Sequence, residues 1–133
     1  MADASRHLGL LADLPGVDTR AGLAGVMGND TLYCQLLSMF RDRESDFAAR
    51  FKAARAAGDV SAAARQAHDL KSVAGTLGIH AVKKAAEALE QACLRETETA
   101  DIDALAQNVA RVLAPVIVGL QPLGIAAATA DQR

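Results

Sequence analysis

His68 has neighbours suited to nucleophilic chemistry. Arg65 stands three residues before it and Lys71 three after, while Ala64 and Ser72 lie one helical turn to either side and Gly75 two turns on. On a helix turning about 100° per residue, Ser61, Ala64, Arg65, Lys71, Ser72 and Gly75 all fall within about 60° of the imidazole. An ordinary solvent face would mix Glu, Lys and Gln, but this one is small or basic. The two cations can contact phosphoryl oxygens and offset the charge that builds during transfer. The small residues lower the surface, so that a partner's backbone can come close. Gly75 costs nearly 1 kcal/mol relative to Ala in a helix interior, which suggests a packing or functional reason. The pattern offers a neutral ring nitrogen as nucleophile, with positive charge beside it and room for a large reactant. A lone exposed histidine on a helix is more often an ordinary solvated residue, so periodicity alone leaves both readings open.

The elements that must position this face follow from apolar spacing. Ala63, Ala67, Leu70, Val73, Ala74 and Leu77 make the inward stripe of the His68 helix, which starts at Asp59 or Ser61 and stops at Gly78. Before it, Tyr33, Leu36, Leu37, Phe40, Phe47, Phe51 and Ala54 predict one long helix, capped by Asp30 or Thr31 and ended at Gly58. After it, a helix from about Ile79 to Glu96 turns Val82, Ala86, Leu89 and Cys93 inward. The last helix carries Ile102, Leu105, Val109, Val112, Leu113 and Val116, with a kink expected at Pro115. A short helix capped by Asp18 or Thr19 runs to about Met27, behind a lead-in containing Leu8, Leu10, Leu11 and Leu14 that Pro15-Gly16 breaks. Short polar turns join these elements. The fold class is all-α, an up-down antiparallel four-helix bundle with a short extra N-terminal helix. The expected organisation is a lead-in over 1–13, the bundle domain over 14–120 and a flexible tail over 121–133.

Composition agrees and removes other classes. Aromatic residues make up 3% of the 133-residue chain, while the hydrophobic share of 51% is largely Ala, Leu and Val, which suits packed helices better than a sheet. A net charge of −2 with no basic stripe argues against nucleic acid. Cys34 and Cys93 form no CxxC pair and read as buried thiols of a reduced protein. The N-terminus shows no signal-peptide pattern. Residues 112–130 carry no charge, but Pro115, Gly119, Gln121, Pro122 and Gly124 interrupt them, so a core-facing helix is expected rather than a membrane span. Neither Arg65 nor Leu77 makes a Glu-x-x-His pair with His68 or His80, and no Gly-rich phosphate loop or nucleophile elbow is present, so no metal site or bundle enzyme is expected. His7 and His80 read as surface histidines.

The run His68-Asp69-Leu70-Lys71-Ser72-Val73-Ala74-Gly75-Thr76-Leu77-Gly78 resembles the motif of histidine-containing phosphotransfer (HPt) domains, most like those at the C-termini of hybrid sensor histidine kinases. Leu14-Pro15-Gly16-Val17-Asp18 is similar to that family's lead-in, 30–51 to its second helix and 85–92 to the helix beside the histidine. The likeness therefore covers about residues 14–118. It implies that His68 is phosphorylated and that Lys71 stabilises the phosphoryl group. It also implies that Ala64, Arg65, Ser72, Gly75 and Glu90 belong to the partner-docking face. Two positions depart from the pattern. Ser72 stands where the family usually has Gly, and Glu90 stands where some relatives place a Gln that hydrogen-bonds the imidazole. A carboxylate there would orient the ring but repel phosphate.

The resemblance further implies a carrier without kinase activity of its own and with no bound cofactor, the Mg²⁺ being expected on a partner. It would be phosphorylated by one response-regulator receiver aspartate and pass the group to another. The expected molecule is a cytoplasmic monomer without direct membrane contact. It is either free or part of a hybrid sensor kinase, a parent chain that would be anchored in the inner membrane. The competing reading is a catalytically silent helical module that docks a receiver or another partner.

Overall fold

A computed structural model describes residues 14–131, with side chains described through Leu123. Leu8, Leu10, Leu11 and His7 lie outside the described residues, as does the whole expected lead-in over 1–13. The described residues form six helices and no strand: α1 Thr19–Gly25, α2 Asp30–Glu44, α3 Phe47–Ala56, α4 Val60–Leu77, α5 His80–Leu94 and α6 Thr99–Asp131. α2 with α3, then α4, α5 and α6, make the four-helix bundle, and α1 packs against α4 and α2.

The long second helix is divided. Ser45 and Asp46 separate α2 from α3, with Asp46 at φ −109° and ψ 18°. Short polar side chains compete with helical hydrogen bonds here, and Ser45 Oγ donates to the Asp42 carbonyl at 3.3 Å. The Arg50 guanidinium closes the corner by donating to the Arg43 carbonyl at 2.8 Å, Glu44 at 3.0 Å and Asp46 at 2.7 Å. The apolar stripe keeps its register across the break, and stacked Phe47 and Phe51 continue the core of α2.

Caps set the remaining ends. Asn29, rather than Asp30 or Thr31, caps α2 by accepting from the Leu32 amide. Asp18 caps α1 and Asp59 caps α4 in the same way. α1 ends at Gly25, two residues earlier than expected, in a turn that holds Met27 and Gly28 at positive φ. α4 stops at left-handed Gly78 (φ 82°), where the Ile79 amide turns back to the Ala74 carbonyl at 2.8 Å. Any Cβ at Gly78 would collide with the Asp18 carbonyl oxygen. Tyr33, fully buried, donates its hydroxyl to the Leu77 carbonyl at 2.6 Å and ties α2 to the end of α4.

α6 passes through Pro115 and Pro122 without being divided. Both prolines are exposed, so the hydrogen bonds they forgo lie on the wet side, and the buried line Ile102, Val109, Leu113, Val116, Leu120 and Leu123 stays continuous. The helix itself runs on to Asp131, and Leu123 is buried. Segment Thr99–Leu123 is long and apolar enough to cross a membrane by length and composition. Its buried line packs on α5 and α2. The Leu14-Pro15 lead-in lies across it, with Pro15 set so closely on Gly119 that a Cβ there would meet the Pro15 ring at 2.7 Å.

Candidate functional site

α4 places the functional face, but its core axis differs from the one expected. Ala63, Ala67, Leu70 and Ala74 are completely buried, whereas Val73 is 37% exposed. The inward direction is therefore turned by about 30° toward Ala67 and Ala74, on the periodicity of a helix. This leaves two borders. Ala64, Lys71 and Gly75 look toward α5, and Ser72 and Val73 look toward α2. His68 stands between them, its side chain 53% exposed.

The α5 border contains the most informative contacts. Glu90 projects from α5 with its side chain only 10% exposed, and each carboxylate oxygen has a partner on α4. Oε2 lies 2.7 Å from His68 Nδ1, and Oε1 lies 2.6 Å from Lys71 Nζ. The Lys71 ammonium holds Glu90's carboxyl below its usual range against the opposing effect of burial, and the contact with His68 adds to the lowering. An ionised carboxylate has no proton to give. Nδ1 is therefore the donor in that short bond, and in the neutral ring the lone pair sits on Nε2. A buried acceptor has fixed which nitrogen can act as nucleophile.

The other candidate residues occupy different environments. Arg65 and Ser72 are exposed on the His68 face, and the Ser72 carbonyl accepts from Thr76 Oγ1. Ala64 is 8% exposed and belongs to the core cluster, so its methyl gives a partner little to touch. Gly75 is not open ground either. A Cβ there would stand 3.1 Å from Lys83 Cδ of α5, so the glycine makes room for a lysine stem. Sequence reading did not single out Lys83, because its position over Gly75 depends on how the two helices are set against each other.

The α2 border is apolar. Leu36, Met39, Phe40, Val73 and Thr76 line most of a shallow groove that Ser72, Arg43 and Glu44 also border, with Met39 64% exposed. Val73, expected in the core, forms part of this groove.

His80 lies on the surface as expected, its side chain 62% exposed, and it has a carboxylate partner that sequence reading did not foresee: its Nε2 lies 3.1 Å from Asp18 Oδ2. Asp18's carboxyl is held below its usual range by the Ala21 amide first and by His80 second. Cys34 and Cys93 are buried and free, and burial pushes the Cys34 thiol up to about 11. Burial likewise raises the Tyr33 hydroxyl to about 12. None of the three is poised to react at neutral pH. Among the described residues no group of three or more His, Cys, Asp or Glu side chains is arranged to hold a metal ion.

No curated protein and no solved structure matches the chain. A family model described as the Hpt domain does match, over residues 35–124 of the 133. The match spans α2 beyond its first turn, all of α3, α4 and α5, and α6 to residue 124. With an exposed imidazole held on a helical bundle inside that span, the chain belongs to the HPt-domain family, the phosphotransfer modules of two-component signalling.

Proposed function

We propose that the chain is a phosphorelay intermediate that takes a phosphoryl group onto His68 Nε2 from one receiver-domain aspartate and delivers it to another. The observation that carries this reading is the half-exposed imidazole whose Nδ1 is occupied by buried Glu90. The Nε2 lone pair attacks phosphorus in line, the N–P bond forms, and the bond to the aspartate oxygen breaks. The aspartate departs as a carboxylate. The Nδ1 proton stays in place, and the positive charge appearing on the ring meets the negative charge of Glu90. Lys71 and Arg65 supply cationic charge for the phosphoryl oxygens. Catalysis then rests on positioning and charge stabilisation, with Mg²⁺ brought by the receiver.

The small and apolar rim supports a protein partner. Ser72 sets little bulk beside the ring, and the strip of Met39 and Val73 next to it offers apolar surface to a receiver. On this reading the domain is a cytoplasmic monomer without kinase activity of its own. Any such activity would belong to a parent sensor kinase.

The test is incubation with phosphorylated receivers. Label that is acid-labile and base-stable, and that vanishes in His68→Gln, is the expected result. Failure of every receiver to label a folded protein would favour the silent docking module instead.

A further inference from the structure

Glu90 does more than aim the ring, because it holds Lys71 as well. In the free protein one carboxylate and one ammonium balance each other at 2.6 Å. A phosphoryl group on Nε2 adds about −1.5 to −2 of charge on the other side of the same imidazole. Lys71 cannot remain in full contact with Glu90 and also close on the new oxygens. Whichever it leaves keeps a less compensated negative charge, and Glu90, largely covered in the free protein, is screened by water less than a fully exposed carboxylate. The Glu90 carboxylate also keeps a proton on Nδ1. That proton lets the ring leave phosphorus as neutral imidazole, with the N–P electron pair returning to Nε2. Both effects act in one direction, toward loss of the phosphoryl group.

We propose that Glu90 is a positioning residue that makes His68 a short-lived phosphoryl carrier, by competing with the phosphoryl group for Lys71 and by holding the Nδ1 proton that the leaving ring requires. The inference rests on the phosphocarrier reading but concerns how long the group stays rather than where it comes from. A module so built passes phosphoryl groups on and stores them poorly. Glutamine at position 90 would still accept from Nδ1–H, but it would lack the charge and would release Lys71.

The test uses a small-molecule donor, so that it does not depend on finding the right receiver. Wild type and Glu90→Gln are phosphorylated with phosphoramidate, freed of donor and followed by ³¹P NMR, with thermal melting as the control for folding. Glu90→Gln is expected to lengthen the phosphohistidine lifetime roughly tenfold, the size of effect that one charge a few ångströms away exerts in a half-shielded site. Lys71→Ala should shorten the lifetime more in the Glu90→Gln background than in wild type, because only there is the ammonium free to serve the phosphoryl group. The ¹⁵N spectrum of unphosphorylated His68 should show the Nδ1–H tautomer in wild type and a tautomer mixture in Glu90→Ala. Equal lifetimes in wild type and Glu90→Gln, or a shorter one in the variant, would overturn the proposal. Failure of phosphoramidate to label His68 would overturn it together with the carrier reading. If His68 labels and the lifetimes differ as stated but no receiver exchanges phosphate with it, the relay reading alone falls.

Discussion

Two histidines in this bundle each face a carboxylate, and they differ in what lies around the pair. His80 meets Asp18 at 3.1 Å with both side chains about half exposed or more. The other Asp18 oxygen is occupied in capping α1. The Asp18 backbone amide donates to the Gly78 carbonyl at 2.8 Å. That pair fastens a short helix to the bundle, and solvent screens most of its electrostatic content. His68 meets Glu90 at 2.7 Å, with the carboxylate buried and shared with Lys71. There the charge is shielded from water, the tautomer is fixed and a cation stands ready. The same two residue types make a fastening in one place and, on the proposed function, a reactive centre in the other, and burial of the acid separates them.

The comparison is broken most decisively by exchanging roles. His68→Gln should abolish phosphoryl labelling completely while leaving the melting temperature nearly unchanged, because the ring is half exposed. His80→Gln should label like wild type. Labelling lost in His80→Gln and kept in His68→Gln would reverse the assignment.

Leu70→Ala should do the opposite of His68→Gln. Leu70 is fully buried, directly before Lys71 in sequence but about 100° from it around α4, and its truncation should cost about 2–5 kcal/mol in denaturant unfolding. What remains folded should still accept phosphate. Lys71→Ala should slow transfer from a receiver by roughly tenfold, in line with one charge-assisted contact to the moving group. Circular dichroism should show the helix content unchanged.

The smallest effect concerns acid. Glu90's carboxyl titrates below its ordinary value near 4.5 in the folded chain. The ionised cluster therefore favours the folded state above about pH 4.5 and loses that contribution as pH falls through the lower folded value. Denaturant midpoints measured from pH 6 to pH 3 should fall less steeply for Glu90→Gln than for wild type. Parallel curves would remove Glu90 from the account of acid stability.

The readable part of this molecule was the part governed by one helix at a time. The α4 stripe, its stop at Gly78 and the small basic surface around His68 follow from 3.6-residue periodicity and from glycine's freedom at positive φ. What depends on two helices was not readable from spacing. Glu90 was reached through family resemblance, and its simultaneous hold on His68 and Lys71 is set by the rotation of α5 against α4. The same rotation decides that Gly75 houses the Lys83 stem and that Ala64 is covered. Val73 was misplaced because it fits the apolar stripe by spacing as well as Ala63, Ala67 and Ala74 do, and those three alanines, small as they are, mark the true core line. The break at Ser45-Asp46 was hidden because Phe40, Phe47 and Phe51 stay in register across it. Its signal was two short polar residues directly before an apolar one, which can cap a new helix as readily as sit within an old one.

The central claim concerns one atom, His68 Nε2. The most direct measurement is ³¹P–¹⁵N coupling in protein carrying ¹⁵N-histidine, phosphorylated by a receiver that labels it. Coupling to Nε2 of His68, with Nδ1 still protonated, is the predicted result. Phosphorus on Nδ1, or on any residue other than His68, would contradict the account.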